Sequence, residues 1–581
     1  MSRFDEIQKQ LDELSPIPSN MPKLYLLGDT GAGKTSIVRR ILGTEKFCFP
    51  SVRDTCTTVA VTEYVISRKL SYQATYIFKS RESIENNVGE ILHVAISGAY
   101  ANFRKGSLNK CDVKDKLDET PDQRFRLNYL MPERLEDLAG RIVHFMPLLD
   151  SAVKELALYL QSSDDEEDEV VDLVLKQDCH HVVSDMAYEI LKIIESRVAE
   201  VCDGYDLFAE NGPYQHSSDS LVDFVERAKR VLSSAKNSIS PVIEHARLQG
   251  DLLASWLPSD AEVVLIDGEG IGHDAKEVGG GLSVRHLDYF YMADAVVLVE
   301  GCKQAFKGGG KNVLEGIVRN GYIDRFHLVF TKMDEMTGGD DEEPSWDDRI
   351  REIRKRLANV ESSLKGVGVK YDAELSRSYF FSNMKGDGVV DESSAEEVKK
   401  LLRSVNASIS EAEPEFVRPI YEYGVMLPHL SSASERFLSR WNDVLCMKHW
   451  QTIKAFNRRM CWREDGFREL TPIADFHMEV MREMGDFLSR PDSWAVAATH
   501  SAQEWSIEAV KREFSKRLLR FSRELIVGLL HAEWVVAVEY SGAGSAEMRR
   551  HKIRGIFCHV SRSFCEGSIK DIIESSGFVD L

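Results

Sequence analysis

Residues 28–36 read GDTGAGKTS, and their surroundings decide the fold class of the chain. A short apolar run, residues 24–27, precedes them, and an apolar-periodic run, residues 37–42, follows them. This is the strand–loop–helix context in which the pattern G-x-x-x-x-G-K-[ST] has physical meaning. Small residues let the backbone wrap around a phosphate with its N–H groups pointing inward, and the following helix adds its N-terminal partial charge. The stretch therefore predicts a phosphate-binding loop (P-loop) at the end of a strand.

The side chains of this loop have separate predicted roles. Lys34 is expected to reach the β- and γ-phosphates, and the hydroxyl of Thr35 is expected to hold Mg²⁺. The predicted nucleotide contacts in this loop are Gly28, Asp29, Thr30, Gly31, Ala32, Gly33, Lys34, Thr35 and Ser36. The alternative is a Gly-rich turn with a chance lysine, and the motifs further along the chain argue against it.

Composition narrows the class of protein. The chain has 581 residues, 43% hydrophobic and 29% charged, which is an ordinary soluble composition with room for about two to four domains. It shows no apolar run long enough for a transmembrane helix and no export signal, so we expect a cytosolic protein, or a nuclear one in a eukaryote. Its ten cysteines form no C-x-x-C pair, which fits reduced thiols. The net charge of −21 argues against indiscriminate nucleic-acid binding.

Strand-like and helix-like runs alternate in two separate parts of the chain, residues 21–100 and 256–405. Alternation of this kind predicts an α/β domain around the P-loop, with a mostly parallel sheet and helices on both faces. Residues 101–255 show no strand alternation and predict a helical insertion, with its last helix over about 217–256. Residues 406–581 predict an all-helical C-terminal bundle or stalk. Residues 1–20 predict a short amphipathic helix that packs on this tail, because a lone short helix needs a host.

A D-x-x-G motif, residues 267–270, follows one of the predicted buried strands. Ligands of open α/β sheets bind at the carboxyl ends of the strands, which is where this motif lies. Asp267 is expected to hold Mg²⁺ through water, and the N–H group of Gly270 is expected to meet the γ-phosphate. This motif places a metal and a third phosphate beside the loop at residues 28–36.

A T-K-x-D motif, residues 331–334, follows a later strand and predicts which base is bound. The carboxylate of Asp334 can accept hydrogen bonds from the ring N–H and the exocyclic amine of guanine, and adenine offers no such pair of donors. Lys332 is expected to lie along the base, and backbone N–H groups of residues 382 and 383 are expected to close its other side. The predicted guanine contacts are Thr331, Lys332, Asp334, Ser382 and Asn383. Together the motifs predict Mg²⁺-GTP as the ligand.

A threonine from the polar stretch at residues 51–58 is expected to complete the Mg²⁺ shell and sense the γ-phosphate. Thr57 is the first choice, and Thr58 and Thr55 are the alternatives. Hydrolysis of GTP needs positioning and charge stabilisation more than covalent chemistry. The residues predicted to act in it are Lys34, Thr57 and Gly270, and the predicted metal ligands are Thr35, Thr57 and Asp267.

Several segments around these motifs resemble a known family. They are CTTVAVTEY (56–64), YQATYIFKSRE (72–82), VVLIDGEGIGH (263–273), ADAVVLV (293–299) and HWQTIKAFNRRM (449–460). The chain resembles the large dynamin-related GTPases, which are P-loop GTPases of the translation-factor-related class. Within them it looks most like the SLIP-GC-type nuclear GTPases and their microbial relatives. The resemblance implies GTP hydrolysis coupled to self-association, a homodimer or higher oligomer formed through paired GTPase domains, and a helical, coiled-coil-like stalk.

Three residues depart from the family's pattern. Gly31 lacks the hydroxyl that helps dynamins bind a charge-compensating monovalent cation, and Glu269 stands where a proline is usual. Ile271 stands where small GTPases carry the glutamine that orients the attacking water. Another group must therefore position the water: Thr57, a backbone carbonyl or a second subunit. Separately, Arg39 and Arg53 are candidates for an internal arginine finger, although each is more often a plain surface charge.

Two rival functions follow from these departures and from the charge pattern. The first is a GTP-binding switch or scaffold that hydrolyses GTP very slowly or not at all. The second is a dynamin-like membrane-remodelling GTPase, because Lys and Arg outnumber Asp and Glu between residues 436 and 562. An excess of this kind suits an anionic membrane surface, but it is also common on solvated helical faces.

Overall fold

The computed structural model describes residues 3–52, 60–118, 125–160, 167–209, 212–268, 270–271, 282–306, 309–336, 344–372, 377–385, 390–410, 414–542 and 544–563. The strands are β1 (Lys23–Leu27), β2 (Val61–Ile66), β3 (Tyr72–Phe78), β4 (Tyr214–Ser218), β5 (Ile243–Gly250), β6 (Val263–Asp267), β7 (Ala295–Gly301), β8 (Phe326–Thr331), β9 (Ser378–Phe380), β10 (Pro419–Ile420) and β11 (Ser493–Trp494).

Most of the helices lie in two long groups, one between β3 and β4 and one after β9. They are α1 (Arg3–Leu14), α2 (Lys34–Leu42), α3 (Arg81–Arg104), α4 (Lys110–Asp118), α5 (Leu127–Leu130), α6 (Leu135–Leu160), α7 (Glu167–Lys176), α8 (His180–Val201), α9 (Leu221–Leu232), α10 (Val284–Met292), α11 (Gly310–Arg319), α12 (Trp346–Gly366), α13 (Glu392–Ser410), α14 (Tyr423–Met447), α15 (Trp450–Cys461), α16 (Pro472–Leu488), α17 (His500–Arg523), α18 (His531–Glu539) and α19 (Ser545–Ser563). Among the helices in the described ranges, none combines the length and apolar character needed to cross a bilayer.

Nine strands form one mixed sheet in the order β4-β3-β5-β2-β6-β1-β7-β8-β9. Strands β6, β1, β7, β8 and β9 form a block of mutually parallel strands, and β2, on the other side of β6, is antiparallel to it. The prediction of an α/β fold with a mostly parallel sheet is confirmed. Because β1 lies inside the parallel block, the loop that follows it emerges at the middle of the sheet's carboxyl edge, where ligands of such sheets bind.

Strand β1 shows why both faces of the sheet are covered. Successive side chains of a strand point to opposite faces, and all four residues 24–27 are buried. Leu24 and Leu26 belong to a hydrophobic core that contains α2 and the helices between β3 and β4. Tyr25 and Leu27 belong to a second core, shared with α10, α11 and the C-terminal helices. The prediction that helices cover both faces of the sheet is therefore confirmed.

One predicted helix, over residues 217–256, is wrong. This part of the chain contains the end of β4, then α9, then β5, which pairs with both β3 and β2. On β5, Ala246 and Leu248 face the apolar core, whereas His245 and Arg247 lie buried on the opposite face. Residues 245–249 alternate polar and apolar side chains, which is the pattern of a half-buried strand, so the helix prediction overlooked a signal that the sequence contains. The polar side chains on that face are buried against α1 and Glu63.

Helix α1 lies mainly against the sheet. The buried Arg247 donates from Nε to Glu63 Oε2 (2.6 Å) and from Nη1 to Asp12 Oδ1 on α1 (2.7 Å). Gln8 of α1 donates to the other oxygen of Glu63 (2.9 Å). The sequence predicted the C-terminal helices as the host, but the contact with α17 is an ion pair of 3.7 Å that involves Asp5. A buried charge needs partners, and α1 supplies two of those that Arg247 has.

The C-terminal helices enclose an aromatic core. Trp441 and Trp534 are almost fully buried, and the ring of Phe557 lies 4.6 Å and 5.8 Å from theirs, centroid to centroid. The indole N–H of Trp534 donates to the carbonyl of Ile526 (2.7 Å). Trp534 lies on α18, and the two tryptophans anchor the core of the C-terminal helices.

Candidate functional site

The loop at residues 28–36 joins β1 to α2 and depends on glycine at its first position. Gly28 has φ of 151°. A Cβ atom built there would lie 2.2 Å from the carbonyl oxygen of Val299 on the neighbouring strand β7, so a side chain does not fit. Gly33, with φ of 105°, precedes the first turn of α2. The backbone thus turns tightly over the carboxyl edge of the sheet and enters the helix with its first N–H groups directed back toward the loop.

Lys34 folds back across this loop. Its ammonium group donates to the carbonyl oxygens of Gly28 (2.7 Å) and Asp29 (3.1 Å), and the residue is only 6% exposed. A lysine in this position places a positive charge directly on the loop that the sequence predicts to hold phosphates. The ammonium group carries three donors on a flexible stem. It can therefore exchange its carbonyl acceptors for phosphate oxygens without a movement of the backbone.

The two described residues predicted to hold the metal meet across 232 positions of sequence. Thr35 Oγ1 donates to Asp267 Oδ2 at 3.0 Å, both residues are buried, and Asp267 ends strand β6. A hydroxyl and a single carboxylate are hard oxygen ligands that suit Mg²⁺, which binds few protein groups and relies on water and phosphates for the rest. Among the described residues there is no cluster of three or more His, Cys, Asp or Glu side chains that makes a metal cage.

The loop after Asp267 lies against the loop at residues 28–36. The N–H of Ile271 donates to the carbonyl of Gly28 (3.0 Å), and Ile271 is 2% exposed. A Cβ atom built at Gly270 would lie 2.7 Å from Thr30 Oγ1, so these two residues are packed together. The structure thus brings both predicted phosphate-binding segments into contact.

Some predicted residues lie outside the described ranges. They are Arg53, Thr55, Thr57, Thr58 and Glu269. The other candidate arginine finger, Arg39, donates from Nε and Nη2 to the carbonyl of Pro50 (2.8 and 2.6 Å). Its guanidinium therefore anchors the chain just before the threonine stretch, and its role as a finger stays a prediction.

The T-K-x-D segment contacts the same loop from β8. Thr331 Oγ1 donates to the carbonyl of Ala32 (2.5 Å), which ties the end of β8 to the middle of the loop. Lys332 has φ of 58°, in the left-handed region, and its carbonyl accepts a hydrogen bond from the thiol of Cys302 (2.7 Å). Asp334 is exposed at the rim, where a ligand can reach its carboxylate.

The loop after β9 completes this side of the site. The N–H of Asn383 donates to Asp334 Oδ1 (2.9 Å). The N–H of Ser382 donates to Ser394 Oγ (2.8 Å), and the Ser382 hydroxyl donates to Asp391 (3.0 Å). Both N–H groups that the sequence assigned to the base therefore have protein partners here. Asp334 links this loop to T-K-x-D through its carboxylate, and Met333 does so through its N–H, which donates to the carbonyl of Phe381 (3.1 Å).

Sequence reasoning missed Glu300, a buried carboxyl at the end of β7. It is 4% exposed, and its Oε2 accepts a hydrogen bond from the N–H of Phe306 (3.1 Å). Among the described residues, its Oε1 has no hydrogen-bond partner. Burial, with a smaller contribution from the charge of Asp29, raises the pKa of Glu300 to about 8, against the opposing charge of Lys34. The only signal in the sequence is one acidic residue directly after an apolar strand.

Replacing Glu300 with glutamine is expected to remove a loss of stability that the wild type shows as the pH rises from about 4.5 to about 8. The folded chain keeps this proton up to about pH 8, whereas an ordinary carboxyl releases it near 4.5. Folded wild-type protein therefore binds more protons between these pH values, so its free energy of unfolding falls with rising pH, by up to about 1.4 kcal/mol per pH unit. Glutamine keeps the acceptor for Phe306 but does not titrate. Urea unfolding across this window tests it, and parallel pH profiles for variant and wild type contradict it.

Comparisons with known proteins add little. No family model matches the chain, and no curated protein matches it. Among the solved structures that resemble it are two described as an oligomerised bacterial dynamin pair that provides a mechanism for the long-range sensing and tethering of membranes. Each is 12% identical and covers 98% of this chain and 73% of its own, with TM-scores of 0.30 and 0.29. Similarity at this TM-score carries no argument for function, so the residues of the site must supply it.

Proposed function

We propose that the chain is a large, dynamin-related GTPase that binds Mg²⁺-GTP, hydrolyses it to GDP and phosphate, and self-associates in the process. One observation carries the proposal. The carboxyl ends of β1, β6, β8 and β9 bring the four motifs to one edge of the sheet, joined by hydrogen bonds between them. Segments more than 300 residues apart in the chain thus form one site.

The residues of this site divide the work between phosphate and base. The backbone of residues 28–36 and the N-terminus of α2 favour phosphate oxygens, and Lys34 neutralises their charge. Thr35 and Asp267 hold Mg²⁺, which polarises the phosphate oxygens when it is bound. At the other end of the site, Asp334 recognises the guanine edge. The distance between the two ends is bridged by Thr331, which bonds to the loop itself.

Water activation is the step to which the described residue at position 271 contributes no side-chain group. Ile271 is buried, has no polar side chain, and uses its N–H on Gly28. A side chain at this position therefore does not orient the attacking water. The group comes instead from the threonine stretch, from a backbone carbonyl or from a second copy of the chain. In the last case turnover depends on self-association.

This dependence gives a direct test of the proposed function. We expect GTP turnover per molecule to rise with protein concentration, and the particle mass measured by light scattering to be larger with a non-hydrolysable GTP analogue than with GDP. Omission of Mg²⁺ and substitution of ATP for GTP are the controls, and both should abolish turnover. A constant mass together with turnover that is independent of concentration contradicts the coupling.

The burial of Ile271 also favours a second candidate, a GTP-binding switch or scaffold that does not turn over its nucleotide. Single-turnover measurements at the highest attainable protein concentration separate the two candidates. Tight, guanine-selective binding without phosphate release supports the switch, and phosphate release supports the enzyme.

A further inference from the structure

Arg40 is a buried arginine on α2 that reaches the base end of the site. It is 2% exposed, and its guanidinium donates from Nη2 to the carbonyl of Asn383 (3.1 Å) and from Nε to the carbonyl of Met384 (3.3 Å). Its Nη1 donates to Glu45 Oε1 at 3.2 Å. Helix α2 therefore carries Lys34 at its first position and, further along, Arg40, which donates hydrogen bonds to the loop after β9.

The loop held by Arg40 is bonded to the protein on two sides. Asn383 has φ of 52°, a left-handed conformation that asparagine adopts more readily than other non-glycine residues. The carbonyl of Asn383 accepts from Arg40, and its N–H donates to Asp334 Oδ1 (2.9 Å). The Asn383 backbone is thus fixed from both sides, and one of those sides is the carboxylate predicted to read guanine.

The guanidinium group is suited to this task in a way that lysine is not. Its rigid fork supplies donors in fixed directions, so it can hold two consecutive carbonyls and a carboxylate at once. A buried cation is stable only when its donors are paired, and Glu45, with a side chain 17% exposed, supplies the compensating charge. These hydrogen bonds of Arg40 are all to protein groups, so we expect it to keep its position when a ligand binds.

We infer that Arg40 is a positioning residue for guanine recognition. It holds the loop of residues 382–384 against Asp334. Because Arg40 lies on α2, the helix that also carries Lys34, it connects the phosphate end of the site to the base end. This inference rests on the proposed function, because it requires that Asp334 meets guanine. It assigns selectivity for the base, and not affinity for phosphate, to a residue that never touches the ligand.

The test compares two variants with a matched control. Arg40→Gln removes the guanidinium group and its charge. Arg40→Lys keeps the charge but replaces the planar guanidinium with one ammonium group. The control is Arg319→Gln, because Arg319 is also buried and also donates to two carbonyls, those of Arg482 and Val367, and to a glutamate. Affinities for GDP and ADP and the melting temperature are measured for each. We expect both Arg40 variants to lose about tenfold in the ratio of GDP to ADP affinity, with ADP affinity nearly unchanged.

Each outcome decides something. The control should melt at a lower temperature than wild type and keep the wild-type ratio, because it loses similar bonds elsewhere. A folded Arg40→Lys variant with the wild-type ratio overturns the inference and leaves the proposed function standing. Failure of both Arg40 variants to fold overturns it too, since the residue is then structural. Wild-type protein that binds GDP and ADP equally overturns the proposed function itself.

Discussion

Replacing Lys34 with alanine is expected to weaken GTP binding about a hundredfold and to abolish turnover. The ammonium group is almost buried and lies on the carbonyls of Gly28 and Asp29, at the centre of the loop. Alanine removes the only positive charge that the described part of residues 28–36 offers to the phosphates. Its small volume leaves the glycine turn intact, so the loss reflects charge and hydrogen bonding. Titration calorimetry with a non-hydrolysable GTP analogue measures the change.

The chain contains a matched control for this substitution. Lys311 follows a second run of glycines and stands at the start of α11, just as Lys34 stands at the start of α2. Its ammonium group is exposed and donates to the hydroxyl of Ser363. Lys311→Ala should keep wild-type affinity and turnover. Equal effects of the two substitutions, or wild-type affinity in Lys34→Ala, contradict a phosphate site in the loop at residues 28–36.

Much of the central sheet was predictable because a strand buried on both faces has a continuous apolar sequence. The run at residues 263–266 is wholly apolar since parallel strands are covered on both sides. Strand β5 has no such run. Its His245 and Arg247 are as buried as the apolar residues, because Glu63 and α1 satisfy their polar atoms. A residue pattern reports burial only where the buried atoms are apolar.

The site divides along a similar line. The order of the motifs was enough to predict that Thr35 and Asp267 belong to one site. Each motif follows a strand, and each has residue types suited to one part of the same ligand. Arg40 and Glu300 were not predicted, since each owes its role to atoms supplied by distant segments: the carbonyls of residues 383 and 384 for one, and the packing of α11 for the other. A Cβ atom built at Gly310 would lie 2.0 Å from Glu300 Oε1, so only the fold shows that contact.

Replacing Asp334 with asparagine is expected to remove the preference for GTP over ATP, by weakening GTP binding about a hundredfold while ATP affinity stays nearly unchanged. The carboxylate accepts from two guanine donors, whereas an amide presents one acceptor and one donor, so one pair becomes a clash of donors. The loop after β9 should keep its place, because the amide oxygen can still accept from the N–H of Asn383. Competition of GTP and ATP for a fluorescent GDP analogue measures both affinities.

The same chemistry predicts which nucleotide should bind the Asp334→Asn variant better than GTP does. Xanthine carries a carbonyl oxygen where guanine carries its amine, so it can accept from the new amide group and donate its ring N–H to the amide oxygen. Asp324→Asn is the control, because Asp324 precedes β8 at the opposite end of the sheet and pairs with Arg512 (2.7 Å). It should keep the wild-type order of nucleotides. An Asp334→Asn variant that still prefers GTP to ATP as strongly as wild type contradicts the assignment of guanine recognition to Asp334. Within the T-K-x-D segment, Asp334 is the carboxylate that contacts the loop after β9.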